Sequence, residues 1–468
     1  MTGTPEMSER RVSSPPGASG RGARSVQRPM LLALLAPVFL MALFGRSLAW
    51  SDPAPVEIDQ ETVVRTALAS HPLVRMAVDR SRAQDAGVGT ALADYYPHLT
   101  LSIDQLFLNS AFVGGVFPDY QPIAPELLNP TLTQEITDFG RRHYRVSAAR
   151  NRLESRRQEL AEARLSVVYR ARVAYDQLAM FEHLLVAAKK GVEDATLHYR
   201  QAALRLSSGF GVVTDVTMAR LLMEKTRLAE IRTENSLRKA QADLAYAMGQ
   251  ETGVYRTKAE PLPTDPSPVS LSEAMAYAMA HRPLLLAAQA RDREARNRVD
   301  EVRTRNYPHL SLFAQGYLLW GVPATISGAP AGSGLFLPTF QSGVALTVPI
   351  FVGGEIVHET EQARMESRRE SEKTRLVRIR IARNIRKLVL DMKTQEETLS
   401  LDQRRFENAR TNLSLVEKRF SRGLVDGVTA LDAQTELIAS RERLVADRYR
   451  LEMIREALDR ETGRRVGF

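Results

Sequence analysis

Cysteine is absent from this 468-residue chain, which excludes disulfides, zinc–thiolate sites, thiol catalysis and a lipidated cysteine on an exported form. Proline is missing from two long stretches, Thr131 to Glu260 and everything after Pro349. Nothing there interrupts a helix. Long apolar runs are scarce: after Phe44 no segment is apolar for long enough to cross a bilayer as a helix, so any passage made by the rest of the chain must use β-strands. The eight histidines include no i, i+4 pair, which argues against a helical metal site. Ser327 to Gly334 is glycine-rich but lacks the Lys-Ser/Thr and helix of a phosphate cradle, and reads as a loop. No nucleophile and base fall into a usable pattern. The expectation is a protein that is not an enzyme and holds no cofactor.

Residues 1–28 are rich in Arg, Pro, Ser and Gly without apolar periodicity, a disorder signature. Met30 to Phe44 is an apolar run preceded by Arg21, Arg24 and Arg28 and followed by Ser47-Leu48-Ala49. That is the layout of a secretory signal peptide cleaved after Ala49; a membrane-anchoring helix would need about 20 apolar residues. Residues 1–49 carry six arginines against Glu6 and Glu9, so about +5 of the formal +9 belongs to the remainder. Ala363 to Lys387 holds ten basic residues against Glu366, Glu370 and Glu372. On an exported chain this is a solvated helix face rather than a nucleic-acid patch.

Gly354 to Gly463 organises the rest. Met392, Leu399, Phe406, Leu413 and Phe420 recur at a seven-residue step, with Leu388, Ala409 and Val416 on the neighbouring seam. This is a coiled-coil period. The sixty-odd residues before the turn at Gly423 to Val428 would span about 100 Å as a helix. Subtracting 214 gives Leu178, Leu185, Val192, Tyr199 and Leu206, with Ala174, Ala195 and Ala202 on the second seam. Gly140 matches Gly354, Gly209 matches Gly423 and Gly249 matches Gly463. The chain is therefore a duplicated domain, laid out as a leader (1–49), a first repeat (50–253), a proline-rich linker (254–270), a second repeat (271–463) and a short tail (464–468).

Each repeat opens with a helix pair, Ile58 to Ser70 and Leu73 to Asp94, then Leu271 to His281 and Leu284 to Arg305, broken at Pro72 and Pro283. Tyr95-Tyr96-Pro97-His98-Leu99-Thr100-Leu101 and Asn306-Tyr307-Pro308-His309-Leu310-Ser311-Leu312 then end a helix and begin an alternating strand. The alternation is less regular in the second copy. Loops at Asn109 to Asn129 and Gly321 to Pro338 lead to return strands near Pro130 to Ile136 and Ser342 to Phe351. The fold class is mainly α with a small β part: two repeats giving long coiled-coil hairpins, plus four strands of membrane-spanning length. Four strands cannot close a barrel, and open edges are not tolerated in lipid. Several copies must pool their strands.

Tyr-Pro-x-Leu entering a strand, Leu-Thr before a Gly that opens a long helix, and Gly-containing turns followed by Asp215 and by Leu431-Asp432-Ala433-Gln434 resemble the TolC-type outer-membrane efflux family. The resemblance covers nearly all of Ile58 to Gly463, twice over. It implies a homotrimer in the outer membrane of a Gram-negative bacterium: a twelve-stranded β-barrel continued through the periplasm by an α-helical barrel. Such a trimer is the exit duct of tripartite efflux pumps or type I secretion, partnered by a periplasmic adaptor and an inner-membrane transporter.

The two turns carry the residues of interest. The resemblance makes Ser208, Gly209, Phe210, Gly211, Arg422, Gly423, Leu424, Asp426 and Gly427 adaptor-contacting tips. Asp215, Leu424, Val425, Thr429 and Asp432 fall at its periplasmic aperture. From the residues alone, a glycine ends each first helix, and Thr214 and Thr429 stand where they could cap the next one. The family's acidic pair is here Thr429 and Asp432, so one acid is kept. Three copies of it would still ring a pore with negative charge. The family's aspartate–arginine link between turns keeps Asp215 but has Val425 in the arginine's place. Closure is left to packing of Leu424 and Val425, or to another partner such as Arg422.

Two other classes fit parts of the pattern. A coiled-coil structural protein would explain the heptads but not the strands. A periplasmic adaptor would carry one hairpin between lipoyl-like and barrel domains, and nothing here resembles those. Neither reading, nor the duct, identifies the cargo. Solubilisation only by detergent and faster migration of unboiled samples on denaturing gels are expected of the barrel assembly. A protein recovered in the aqueous fraction, with identical boiled and unboiled mobility, would mark the coiled-coil alternative.

Overall fold

The computed structural model describes residues 55–105, 126–258, 270–322 and 335–464. The leader, most of both strand-to-strand loops, most of the linker, the Ser327 to Gly334 run and the last four residues lie outside them. In chain order the elements are β1 (Val56–Ile58), α1 (Gln60–Ser70), α2 (Pro72–Ala93), β2 (His98–Gln105), β3 (Glu126–Thr137), α3 (Arg141–Ser207) and α4 (Val213–Ala247). There follow β4 (Tyr255–Thr257), α5 (Leu271–His281), α6 (Pro283–Arg303), β5 (His309–Val322), β6 (Leu335–Thr347), α7 (Glu355–Ser421) and α8 (Gly427–Thr462). Both long helices have 67 residues and begin and end 214 positions apart. The duplication read from the heptads extends to helix termini.

β2, β3, β5 and β6 form one antiparallel sheet in the order β2-β3-β5-β6. Residues directly opposite in such a ladder share a face. Leu99 stands opposite Leu132, then Ala314 and Ser342; Ile103 stands opposite Leu128, then Leu318 and Pro338. With the Leu310–Leu346 and Leu312–Val344 pairs, this face is predominantly apolar. The other face carries the row Thr100, Thr131, Gln315, Gln341 and the Glu135–Ser311 pair. The irregular alternation of the second copy comes from Phe313 and Gly343, which pair on the polar face. A Cβ on Gly343 would lie 3.2 Å from the Phe313 ring, so the ring covers the glycine.

Neither face has a core beneath it. None of the described side chains on the four strands is buried, and Leu99, Leu101 and Ile103 are 74%, 62% and 66% exposed. β3 and β6 also differ from expectation: both start earlier, at Glu126 and Leu335, and β6 stops at Thr347 rather than Phe351. Pro130 does not end β3 although it lacks a backbone N–H. The ladder to β5 passes from Leu128–Leu318 to Thr131–Gln315 without a pair at 129 and 130, and a local gap suffices.

Helices α2 and α4, joined only through the rest of the repeat, meet end to end along α3. α4 ends at a left-handed glycine, Gly249 (φ 74°), whose absent Cβ would sit 2.7 Å from the His71 Cα at the start of α2. Ser70 Oγ donates to the Met248 carbonyl at 2.5 Å across the joint. The second repeat builds the same joint from Gly463 (φ 78°) and Arg282. His71 and Arg282, rather than the prolines, are the breaks in the helix pairs. Pro72 and Pro283 are the first helical residues, where a fixed φ and a missing donor cost nothing. The first helix starts two residues later than expected because Val56–Ile58 pairs in parallel with Tyr255–Thr257. The beginning of the segment expected as linker is thus a strand.

Two equivalent cores flank the joints. Val63, Ala67, Val167, Ala171, Leu178 and Leu244 in the first correspond to Ala274, Ala278, Ile381, Ile385, Met392 and Leu458 in the second. Val63 and Ala171 of the first core stand where Ala274 and Ile385 stand in the second, a large-for-small exchange that conserves volume. The repeats are tied together through α3, which forms ion pairs with the second repeat at Arg145–Glu301 (3.1 Å), Arg152–Glu294 (2.5 Å), Glu162–Arg282 (2.8 Å) and Arg172–Glu456 (3.0 Å). Burial pushes the Glu162 and Glu456 carboxyls above their usual range, against the pull of Arg282 and Arg172 respectively.

Gly249→Ala meets both an unfavourable φ and the His71 backbone, and is expected to cost about 2–3 kcal/mol. Gly209→Ala, at φ 78° with open space around it, is expected to cost about 1 kcal/mol. Denaturant titration of the detergent-solubilised variants compares the two. Equal losses would show that the α2–α4 joint is not closely packed.

Candidate functional site

The tips of the two hairpins are built alike. At the first, Gly209 (φ 78°) donates to the Leu206 carbonyl at 3.1 Å and Phe210 to the Arg205 carbonyl at 2.9 Å. At the second, Gly423 (φ 72°) donates to Phe420 at 3.0 Å and Leu424 to Arg419 at 3.0 Å. Both are Schellman closures, in which a left-handed glycine lets the chain satisfy the last helical carbonyls and leave. Gly211 is needed for a different reason. A Cβ there would lie 2.6 Å from the Leu206 backbone nitrogen.

The helices that return are capped differently from expectation. Neither threonine caps. Asp426, with extended backbone angles, accepts from the Thr429 backbone N at 3.0 Å and from its hydroxyl at 2.5 Å. Thr429 is the cap's donor and lies inside α8, because the helix begins at Gly427, earlier than a threonine cap would allow. The hydrogen bonds from Thr429 hold the Asp426 carboxyl below its usual range. At the first tip the capping position is Val212, which has no side-chain acceptor, and Thr214 is already helical. Asp215 sits in the first turn of α4, where a carboxylate complements the helix N-terminus.

The aperture and tip residues separate into three groups. Phe210 (83% exposed) and Leu424 (68%) project from the two turns, with Ser208, Gly209, Arg422 and Gly423 exposed beside them. Val425 is half-buried and packs with Leu413 and Phe420 on Val416, Ala430 and Ala433 of its own hairpin. Thr429 and Asp432 are exposed on α8. The Arg422 side chain makes no hydrogen bond or ion pair among the described residues, its backbone N–H alone donating to the Arg419 carbonyl at 3.1 Å, so it does not take over the missing arginine's role within one chain.

Asp215 instead meets the second hairpin. Its carboxylate lies against Gly427, where a Cβ would come within 2.6 Å of Oδ1. Further contacts join the hairpins along the same line. Arg205 Nη1 donates to the Phe420 carbonyl at 3.2 Å while its guanidinium stands 4.4 Å from the Phe420 ring centroid, and His198 Nε2 lies 3.7 Å from Glu417. A groove of about 1240 Å³ runs here between α3 and the second hairpin, with the buried Gln434 amide in its wall. The sequence reading missed Arg205 and His198. Their partners are more than 200 residues away, and the signal within reach was the placement of Arg205 in the last turn of a helix, aimed at a helix C-terminus.

The sequence model of the family described as outer membrane efflux protein matches residues 63–250 and 275–464, one segment for each repeat. Protein CyaE of Bordetella pertussis is 23% identical over 411 residues, covering 85% of this chain and 83% of that one. The structure is similar to the outer membrane protein VceC of Vibrio cholerae (TM-score 0.74, 19% identity, 86% of this chain and 96% of that one). It is also similar to the Campylobacter jejuni CmeC outer membrane channel (TM-score 0.71, 18% identity, 89% and 90%). With both repeats matched and the same architecture in outer-membrane channels, the chain belongs to the outer membrane efflux protein family, the exit ducts of efflux and type I secretion systems.

Proposed function

We propose that three copies of this chain form one passive duct. Its outer-membrane part is a twelve-stranded barrel, and its periplasmic part is a tube walled by the paired helices. The observation that carries this reading is the sheet: one apolar and one polar face and, among the described residues, no core under either and no partner for the two outer edges, on β2 and β6. Joining β6 of one copy to β2 of the next satisfies the edges, turns the Leu99–Leu132 face to lipid and leaves Thr100, Gln315 and Gln341 lining water. The helix tips then lie far from the membrane, about 100 Å away along α3 and α7.

An inner-membrane transporter and a periplasmic adaptor complete the path. The exposed Phe210 and Leu424 tips, with Ser208, Gly209, Gly211, Arg422, Gly423, Asp426 and Gly427 around them, supply the adaptor's contact surface. Asp432 on each chain, one and a half turns inside α8, faces the axis and narrows the mouth together with Thr429. Because Thr429 is uncharged and only Asp432 of the two positions is an acid, the ring carries three charges rather than six.

Three unit charges at roughly 7 Å from an axis, in water and screened at 0.1 M salt, favour a monovalent cation by about fourfold. Asp432→Asn is expected to remove most of that preference in reversal-potential measurements on planar bilayers, and Ala430→Asp, on a buried position, is not a substitute for it. Unchanged selectivity in Asp432→Asn would take the ring out of the permeation path.

A further inference from the structure

Where the first repeat passes from helix to strand, the end of α2 and the start of α3 enclose a cleft of about 290 Å³. Leu92 and Val146 supply its apolar lining, and Tyr95, Tyr96, His143, Ser147 and Arg150 supply the rest. The α3 residues 143, 147 and 150 are spaced by four and three, which puts them on one helix face. Among the described residues, the two tyrosine hydroxyls, the His143 ring nitrogens, the Ser147 hydroxyl and the Arg150 guanidinium have no hydrogen-bond or ion-pair partner, and no carboxylate lines the cleft. The acids beside it are engaged elsewhere, Asp94 with Arg145, and Asp138 with the backbone N–H groups of Gly140 and Arg142. One uncompensated positive charge therefore stands among four other side chains able to donate hydrogen bonds.

The second repeat has the same backbone here without the same chemistry. An offset of 214 along α3 and α7, and of 211 before the first strands, puts Val357 in the place of His143, Glu361 in that of Ser147 and Asn306 in that of Tyr95. The arginine alone persists, Arg150 as Arg364. Arg364 lies 3.6 Å from the Glu361 carboxylate, one turn away on its own helix. That is ordinary surface pairing. In the first repeat the acid is a serine, the arginine is unanswered, and a histidine and a second tyrosine face it across the cleft.

The cleft also has a defined height. Tyr96 is two residues before β2 begins at His98, and Leu99 opens the apolar face of the sheet. In the outer-membrane reading above, on which this inference rests, that is the depth of the headgroups of the periplasm-facing leaflet, where tyrosine is favoured. We propose that the cleft binds the phosphate of a phospholipid headgroup, with Arg150 opposing its charge and Ser147, His143 and the tyrosine hydroxyls donating to its oxygens. Its volume lies just below the roughly 300–1,000 Å³ of sites that enclose a whole small molecule, so it admits a headgroup while the acyl chains stay in the bilayer. Both walls belong to one chain, and the site needs no second copy. Each chain takes one lipid, through its first repeat only.

The test uses the detergent-solubilised protein and native mass spectrometry, with separate titrations of phosphatidylglycerol, diacylglycerol of the same chains, and inorganic phosphate. Lipid held by the apolar face of the sheet is common to all variants, so the cleft is read as a difference between them. Arg150→Ala removes an exposed, unpaired side chain, and Ser147→Glu gives Arg150 the kind of partner that Arg364 has. Each is expected to weaken the uptake of one phosphatidylglycerol per chain by about tenfold or more, the loss of a charge-assisted hydrogen bond, and to leave diacylglycerol uptake unchanged. Arg364→Ala is expected to bind both lipids as the wild type does. Equal phosphatidylglycerol uptake by the wild type and the two cleft variants, or an equal loss in Arg364→Ala, overturns the inference. Inorganic phosphate that displaces the lipid at comparable concentration overturns the lipid as occupant in favour of the free ion. A protein that stays in solution without detergent overturns the membrane reading instead, and this is seen before any lipid is added.

Discussion

Backbone hydrogen bonding at the two outer edges of the sheet is the constraint on which the rest of the molecule depends. In lipid an unpaired N–H or C=O has no water to turn to, and among the described residues β2 and β6 each present a row of them. Every other feature is consistent with satisfying that row by symmetry rather than within one chain. The strands carry no core because their two faces meet different solvents. The helices are long because each continues from a strand at a fixed position around a ring. The repeat sits in the sequence because a wall of similar staves is most simply made from copies of one stave.

The helical layer solves a problem of length. A 67-residue helix faces a partner assembled from two pieces, of 22 and 35 residues in the first repeat, and the pieces must meet without a gap. A left-handed glycine at the end of one and a proline at the start of the other make the joint in both repeats. Between repeats much of the contact is made through charge: among the described residues α3 reaches across with five arginine–carboxylate pairs, three of them to α6 and one each to the start of α6 and the later part of α8. Removing one partner of the buried Arg282–Glu162 pair would leave a charge without compensation, a much larger loss than the pair's net contribution to stability.

How much of this could be read from the residues divides along sequence distance. The heptad seam was readable because it is local and repeated. Ala174, Ala195 and Ala202 are buried as their spacing requires, and so are Met392, Ala409 and Val416. The glycines of the turns were readable for the same reason. The alternation of β2 was plain, while that of β5 was obscured by Phe313, which makes sense only once Gly343 is known to lie opposite. What could not be read depends on partners far apart in the chain: the β1–β4 pairing, the His71 and Arg282 joints, and the Arg205 contact with Phe420. The choice of Asp426 over a threonine as the cap was a local question decided by where the helix starts, which residue types alone leave open by a residue or two.

The end-to-end joints give each chain two unbroken rods and two articulated ones. A continuous helix of this length resists bending throughout, whereas a stacked pair concentrates any bend at the point where hydrogen bonding along the axis is interrupted. The lower member, about 53 Å long for 35 residues, is a lever with its fulcrum at Gly249. A rotation of roughly 5° about that point corresponds to a displacement of about 5 Å at the far end of the helix. Any angular difference set at Gly249 or Gly463 is therefore magnified in proportion to the length of helix beyond the joint.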